Sequence, residues 1–215
     1  MNISFKNIIP YPLKESLKSG SSQIWDSGEL ELTCGKHYLV HAPSGKGKST
    51  FLNILYGVRT DYDGSWNIGE TAMNTNSTVE WDAARRDKLS MVFQGLELFD
   101  HLTALENINL KNDLTAFKSE SQISEMMKRL EIEHLKHQNC GTLSFGQKQR
   151  VAIIRALCQP YNWLLLDEPF SHLDDANSAK AIDLIYAESL EQNAGVILTS
   201  LGTLKSKVFT TSLTL

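Results

Sequence analysis

His37-Tyr38-Leu39-Val40-His41-Ala42-Pro43-Ser44-Gly45-Lys46-Gly47-Lys48-Ser49-Thr50 is an apolar run, a glycine-containing loop and the start of a helical pattern, in that order. Residues 37–40 suit a buried strand, Pro43, Gly45 and Gly47 interrupt it, and residues 49–56 repeat apolar side chains at helical spacing. Strand, loop and helix in that order build a phosphate site. Glycines let the backbone curl until consecutive N–H groups point into one hollow, and the helix N-terminus adds partial positive charge. Pro43, Ser44, Gly45, Lys46, Gly47, Lys48, Ser49 and Thr50 are therefore the candidate binding residues, with the Lys48 ammonium for β and γ phosphates and the Ser49 hydroxyl for magnesium. Ala42 stands where the GxxxxGK[ST] pattern has its first glycine, which a single methyl permits if φ is negative. Taken alone, these residues also describe an ordinary glycine-rich turn before a helix.

The chain has 215 residues, room for one sizeable domain. Lys and Arg number 21 against 25 Asp and Glu, a net charge of -4, so no overall positive field draws the chain to phosphate backbones and no nucleic-acid partner is expected. Cys34, Cys140 and Cys158 are widely spaced, without a CxxC pair or a histidine at metal-ligand spacing, which favours a reducing compartment over a disulfide scaffold. No window approaches the roughly 20 apolar residues that cross a bilayer, and the N-terminus lacks the pattern of a secretory leader. Any work at a membrane is expected to run through a spanning partner.

Residues 3–9 alternate loosely and stop at Pro10-Tyr11-Pro12, and a second strand is expected at residues 23–25, which together give an antiparallel edge. Residues 90–93, 163–166 and 196–198 read as buried strands, and residues 102–135 as a more charged helical insertion. Strands separated by helices imply an α/β domain with a mostly parallel sheet. Leu164-Leu165-Leu166-Asp167-Glu168-Pro169 then delivers two carboxylates at the end of a strand, where open parallel sheets place their ligands. Asp167 suits a magnesium ion held through water, and Glu168 a proton from water attacking a γ phosphate. The plainer reading is a helix start with dipole-favoured acids.

Leu143-Ser144-Phe145-Gly146-Gln147-Lys148-Gln149-Arg150 resembles the LSGGQxQR signature of the ATP-binding-cassette (ABC) ATPases, and Asp167 follows Ser144 by 23 residues, as in that family. Gln94 after Met91-Val92-Phe93 resembles the Q-loop glutamine, and Ser171-His172-Leu173-Asp174 the D-loop. The motifs run in the family's order from Ala42 to Ser200. Arg85-Arg86-Asp87-Lys88 before Phe93-Gln94, with His101-Leu102-Thr103-Ala104-Leu105-Glu106-Asn107-Ile108, is similar to cassettes of the lipoprotein-releasing and macrolide-exporting type; the same stretch also fits a plain amphipathic helix start.

The resemblance implies the ABC ATPase fold: a P-loop, RecA-like core at about residues 1–93 and 151–215, an antiparallel β edge and a helical subdomain at about 94–150. It implies an ATPase subunit using ATP and Mg²⁺, paired with a second cassette around two nucleotides and docked on a membrane-spanning permease at the inner face of the cell membrane. Ser144, Gly146 and Gln147 would face the neighbour's nucleotide, Gln94 would sense the metal, and Tyr11, or next Trp25, would stack on adenine. Two departures stand out. Phe145 replaces the usual glycine, so a ring must fit at the interface, and Ser200 replaces the switch histidine, offering a shorter neutral hydroxyl. The other histidines, His37 and His41 among them, read as surface or turn residues. With Glu168 present, slow turnover is expected; a nucleotide-dependent regulatory switch with negligible turnover is the alternative.

Overall fold

In the computed structural model, which describes residues 1–15, 22–43, 45–73, 78–200 and 208–215, the first expected strand is β1 (Ile3–Pro10). It alternates apolar and polar side chains, burying Ile3, Phe5 and Ile8. The strand expected at residues 23–25 is a turn instead. Ser22 Oγ accepts from the Ile24 and Trp25 N–H groups, a local bond that competes with strand pairing, and β2 (Glu29–Leu32) is the segment that pairs with β1. Next come β3 (His37–His41), α1 (Lys48–Leu55), β4 (Tyr62–Ile68) and the two-residue β5 (Thr71–Ala72). The antiparallel part is a sheet of its own, in the order β2-β1-β4-β5, and two of its strands follow α1.

The rest mixes helices and strands: α2 (Thr78–Asp87), β6 (Leu89–Val92), α3 (Ala104–Asn112), α4 (Glu120–Arg129), α5 (Phe145–Leu157), β7 (Trp163–Asp167), α6 (Asp175–Glu191), β8 (Gly195–Ser200) and β9 (Thr211–Thr214). The second sheet runs β6-β7-β8-β3-β9 with every neighbouring pair parallel. Strands this apolar are legible because both faces are covered. Tyr38, Val40, Trp163, Leu165 and Ile197 pack with Phe51, Leu52 and Leu55 of α1 on one face. Leu39, Leu164, Leu166, Val196 and Leu198 meet α5 and α6 on the other.

The expected helical insertion is α3 and α4 with the turns before α5. Its apolar residues Ala104, Ile108, Ile123 and Met127 join the same cluster as Leu164 and Leu166, and α5 continues past residue 150. Thr103 and Glu106 form a capping box at the start of α3, which absorbs the segment that resembled a subfamily mark.

Candidate functional site

The turn from β3 into α1 rests on two left-handed glycines, Gly45 at φ 77° and Gly47 at φ 95°. At Gly47 space is also short: a Cβ would lie 2.7 Å from Leu13 Cδ1 and 3.4 Å from the Trp25 ring. Ala42 is not among the left-handed residues, so its methyl is accommodated as expected. Pro43 and Lys46 are exposed, Ser49 and Thr50 half-buried in the first turn of α1, and Ser44 lies outside the described residues. Lys48 is 6% exposed; its Nζ donates to the Ala42 carbonyl at 3.0 Å and the Pro43 carbonyl at 3.3 Å.

The third partner of that ammonium comes from the residue after β7. Glu168 Oε1 lies 3.5 Å from Lys48 Nζ, and both side chains are largely buried. The fold thus brings together the lysine and the carboxylate that the sequence separates by 120 positions. Asp167, buried beside it, accepts a 2.7 Å bond from Thr199 Oγ1 on β8. Thr199 also accepts the Glu168 N–H, through its carbonyl at 3.2 Å and its hydroxyl at 3.3 Å. Glu168 itself sits at φ 50°, a conformation unfavourable for an L residue that persists only where its surroundings hold it. Thr199 had no role in the sequence reading, although its place at the end of an apolar strand was the available signal.

The signature residues have uses within their own chain. Ser144 is the N-cap of α5: its Oγ accepts from the Gln147 N–H at 3.3 Å, and Gln147 Oε1 accepts the Ser144 N–H at 2.8 Å. A Cβ at Gly146 would lie 2.9 Å from the His172 carbonyl, so this glycine is required by close packing against the D-loop. Phe145 is exposed and lays its ring 4.1 Å from that of His172. Gln94 is exposed in the turn after β6. Two and three residues on, Leu96 and Glu97 are both left-handed, and Arg155 of α5 donates to their two carbonyls at 2.6 Å each. Burial holds the Arg155 guanidinium below its usual pKa.

Tyr11 stands in an exposed helical turn with the Lys14 ammonium 4.5 Å from its ring centroid. Trp25 is core, edge-on against Phe51, with no exposed face for a base. Ser200 ends β8, directly across from His41 of β3. One expectation about histidines is corrected here. His37 is neither surface nor turn but buried in β3, hydrogen-bonded through Nε2 to Ser189 Oγ at 3.0 Å, because its strand is covered by α6. His41 reaches the strand end beside Ser200, a pairing that chain order hides.

These donors fit a magnesium-bound triphosphate: a curled loop with left-handed glycines, the N-terminus of α1, a buried ammonium, a hydroxyl and a buried carboxylate. Among the described residues no three His, Cys, Asp or Glu side chains converge, so a metal here would take hydroxyl and phosphate oxygens as well.

A family model described as ABC transporter matches residues 26–171. The chain is 37% identical over 158 residues to the sn-glycerol-3-phosphate import ATP-binding protein UgpC of Brucella abortus, covering 72% of this chain and 43% of that one. It is 35% identical over 175 residues to the thiamine import ATP-binding protein ThiQ of Shigella sonnei, covering 80% and 72% respectively. This chain therefore spans less than half of UgpC. Among solved structures it is similar to the dimeric, post-hydrolysis state of the ATP-binding cassette MJ0796 bound to ADP and Pi, with a TM-score of 0.75 at 29% identity over 92% of this chain and 87% of that one. The named relatives are import subunits, which overturns the leaning toward lipoprotein-releasing or macrolide-exporting cassettes; the residues behind that leaning are spent on α2 and on the cap of α3.

Proposed function

The chain belongs to the ABC transporter family and has the ABC ATPase fold, and from that premise we propose that it binds and hydrolyses ATP as one of two paired cassettes driving a membrane permease. The observation that carries this reading is the approach of Glu168 to Lys48, with Asp167 beside it at the end of β7. Incoming phosphate oxygens give the Lys48 ammonium a stronger partner than two carbonyls. Glu168 is then free to take a proton as water attacks the γ phosphorus and the bond to the bridging oxygen breaks, leaving ADP and phosphate. Ser49, Asp167 and Gln94 would hold Mg²⁺, which supplies charge neutralisation at the phosphates when bound.

Gly45, Lys46, Gly47 and Thr50 frame the phosphates, Tyr11 is the candidate for adenine, and Ser144, Gly146 and Gln147 present the start of α5 to the second cassette's nucleotide. Residues 94–150 act as the helical subdomain that meets the permease. Among the described residues no helix is long and apolar enough to cross a membrane, which fits a subunit seated at the inner face through that partner. Import names among the relatives favour an importing permease over an exporting one.

Titration with a fluorescent ATP analogue tests the core of the proposal: Lys48→Ala weakens binding at least tenfold, and wild-type affinity in that variant refutes it. Phosphate release separates the two functional readings. Turnover above the Glu168→Gln background supports the ATPase, whereas equal rates select the regulatory switch.

A further inference from the structure

Gln149 lies on α5 and is 1% exposed, in a part of the signature to which the proposed reaction gives no task. Its Nε2 donates to the Glu168 carbonyl at 3.3 Å and to Ser171 Oγ at 3.4 Å, and its Oε1 accepts the His172 N–H at 3.2 Å. One buried amide therefore spans the candidate proton acceptor and the two residues that follow Phe170. Glu168 needs such a hold, because at φ 50° its backbone relaxes to a more favourable conformation unless both its polar groups are fixed. Thr199 fixes its N–H, and on the carbonyl side the bonds come from Gln149 and the Ser171 N–H, the latter at 3.3 Å. Ser171 is itself bonded to Gln149 through its hydroxyl.

We propose that Gln149 is a positioning residue for the reaction: its side-chain amide holds Glu168 in the left-handed conformation that aims the carboxylate toward Lys48 and the phosphates. The inference rests on Glu168 being the proton acceptor. Losing the amide lets the peptide after Glu168 turn, and the carboxylate moves away from the attacking water while the phosphate loop, which Gln149 does not touch, keeps its shape. Misplacement of a reacting group costs rate rather than substrate affinity.

The test is a double-mutant cycle between Gln149→Met, which keeps the side chain's length and removes its polar atoms, and Glu168→Gln, read as single-turnover phosphate release with the fluorescent ATP analogue as binding control. Gln149→Met is expected to lower the rate about tenfold or more in the wild-type background, with nucleotide affinity within twofold. In the Glu168→Gln background the same substitution is expected to change the residual rate less than twofold, which general damage to the fold would not produce. A tenfold loss in both backgrounds, a matching loss of affinity, or a rate within twofold of wild type overturns the proposal. If Gln149→Met does not fold, Gln149→Glu replaces it in the same cycle with the same expectations, since it keeps an acceptor for the His172 N–H and loses both donors. Should Glu168→Gln itself turn over like wild type, the role of Glu168 fails first; a silent Gln149 substitution beside an inactive Glu168→Gln fails this inference alone.

Discussion

Ser200 closes β8 beside His41, within one strand of the phosphate loop, at the place where the family resemblance expects a switch histidine. A neutral hydroxyl aligns water and phosphate less firmly than an imidazole, so Ser200→His is expected to raise kcat about tenfold, roughly 1.4 kcal/mol of barrier, with little change in KM. A phosphate-release assay showing a slower variant would mean that the hydroxyl is adapted to its place. Thr199 makes the opposite case. Its hydroxyl serves the buried Asp167 carboxylate and the Glu168 N–H together, and Thr199→Val keeps the shape while stripping both bonds. Hydrogen bonds to charged groups are worth about 1.5–3 kcal/mol, so urea unfolding should show a loss of that order, with turnover falling as well. At this scale the sequence pointed to Lys48, Asp167 and Glu168, because their chemistry is written in local motifs, and the fold sets Glu168 3.5 Å from Lys48. It left out Thr199, Gln149 and Arg155, because their value lies in bonds to segments far along the chain.

The start of α5 carries two claims on the same side chain. Ser144 caps the helix within its own chain, and the proposed pairing also asks its hydroxyl to face a neighbour's phosphate. Ser144→Asp separates them. Aspartate caps as well as serine, so thermal stability should stay within about 0.5 kcal/mol of wild type, while a second negative charge facing the phosphates should suppress ATP-dependent pairing. Ser144→Ala should instead cost about 1 kcal/mol of stability in urea unfolding through loss of the cap. Retained pairing in the Asp variant would confine Ser144 to capping. The elements themselves were legible unevenly. Buried strands such as β7 and β8 announce themselves as apolar runs, whereas β4, with Asp63, Gly64 and Ser65 in its middle, owes its strand to pairing with β1 rather than to its own composition. Residues 23–25 misled for the converse reason, an apolar appearance overridden by the Ser22 turn.

Across the molecule, His37 links stability to pH. Burial lowers its pKa from the ordinary value of 6.5, so the unfolded chain takes up a proton first and folding is penalised as pH falls below about 6.5, with no penalty from this group above it. His37→Gln should flatten the loss of stability between pH 7 and pH 5.5 relative to wild type in urea unfolding; an unchanged slope would assign the acid sensitivity elsewhere. Layer order and the parallel sheet followed from strand and helix alternation, but the pairing of His41 with Ser200 and the closure of Lys48 on Glu168 required the strand order β7-β8-β3, which no local pattern encodes. Whether two chains close on ATP is measured most directly by light scattering of Glu168→Gln at saturating Mg·ATP, since that substitution removes the proton acceptor and keeps the binding groups. The account predicts a dimer that reverts to monomer when nucleotide is removed; a monomer under those conditions, alone or with a proposed permease partner, would contradict it.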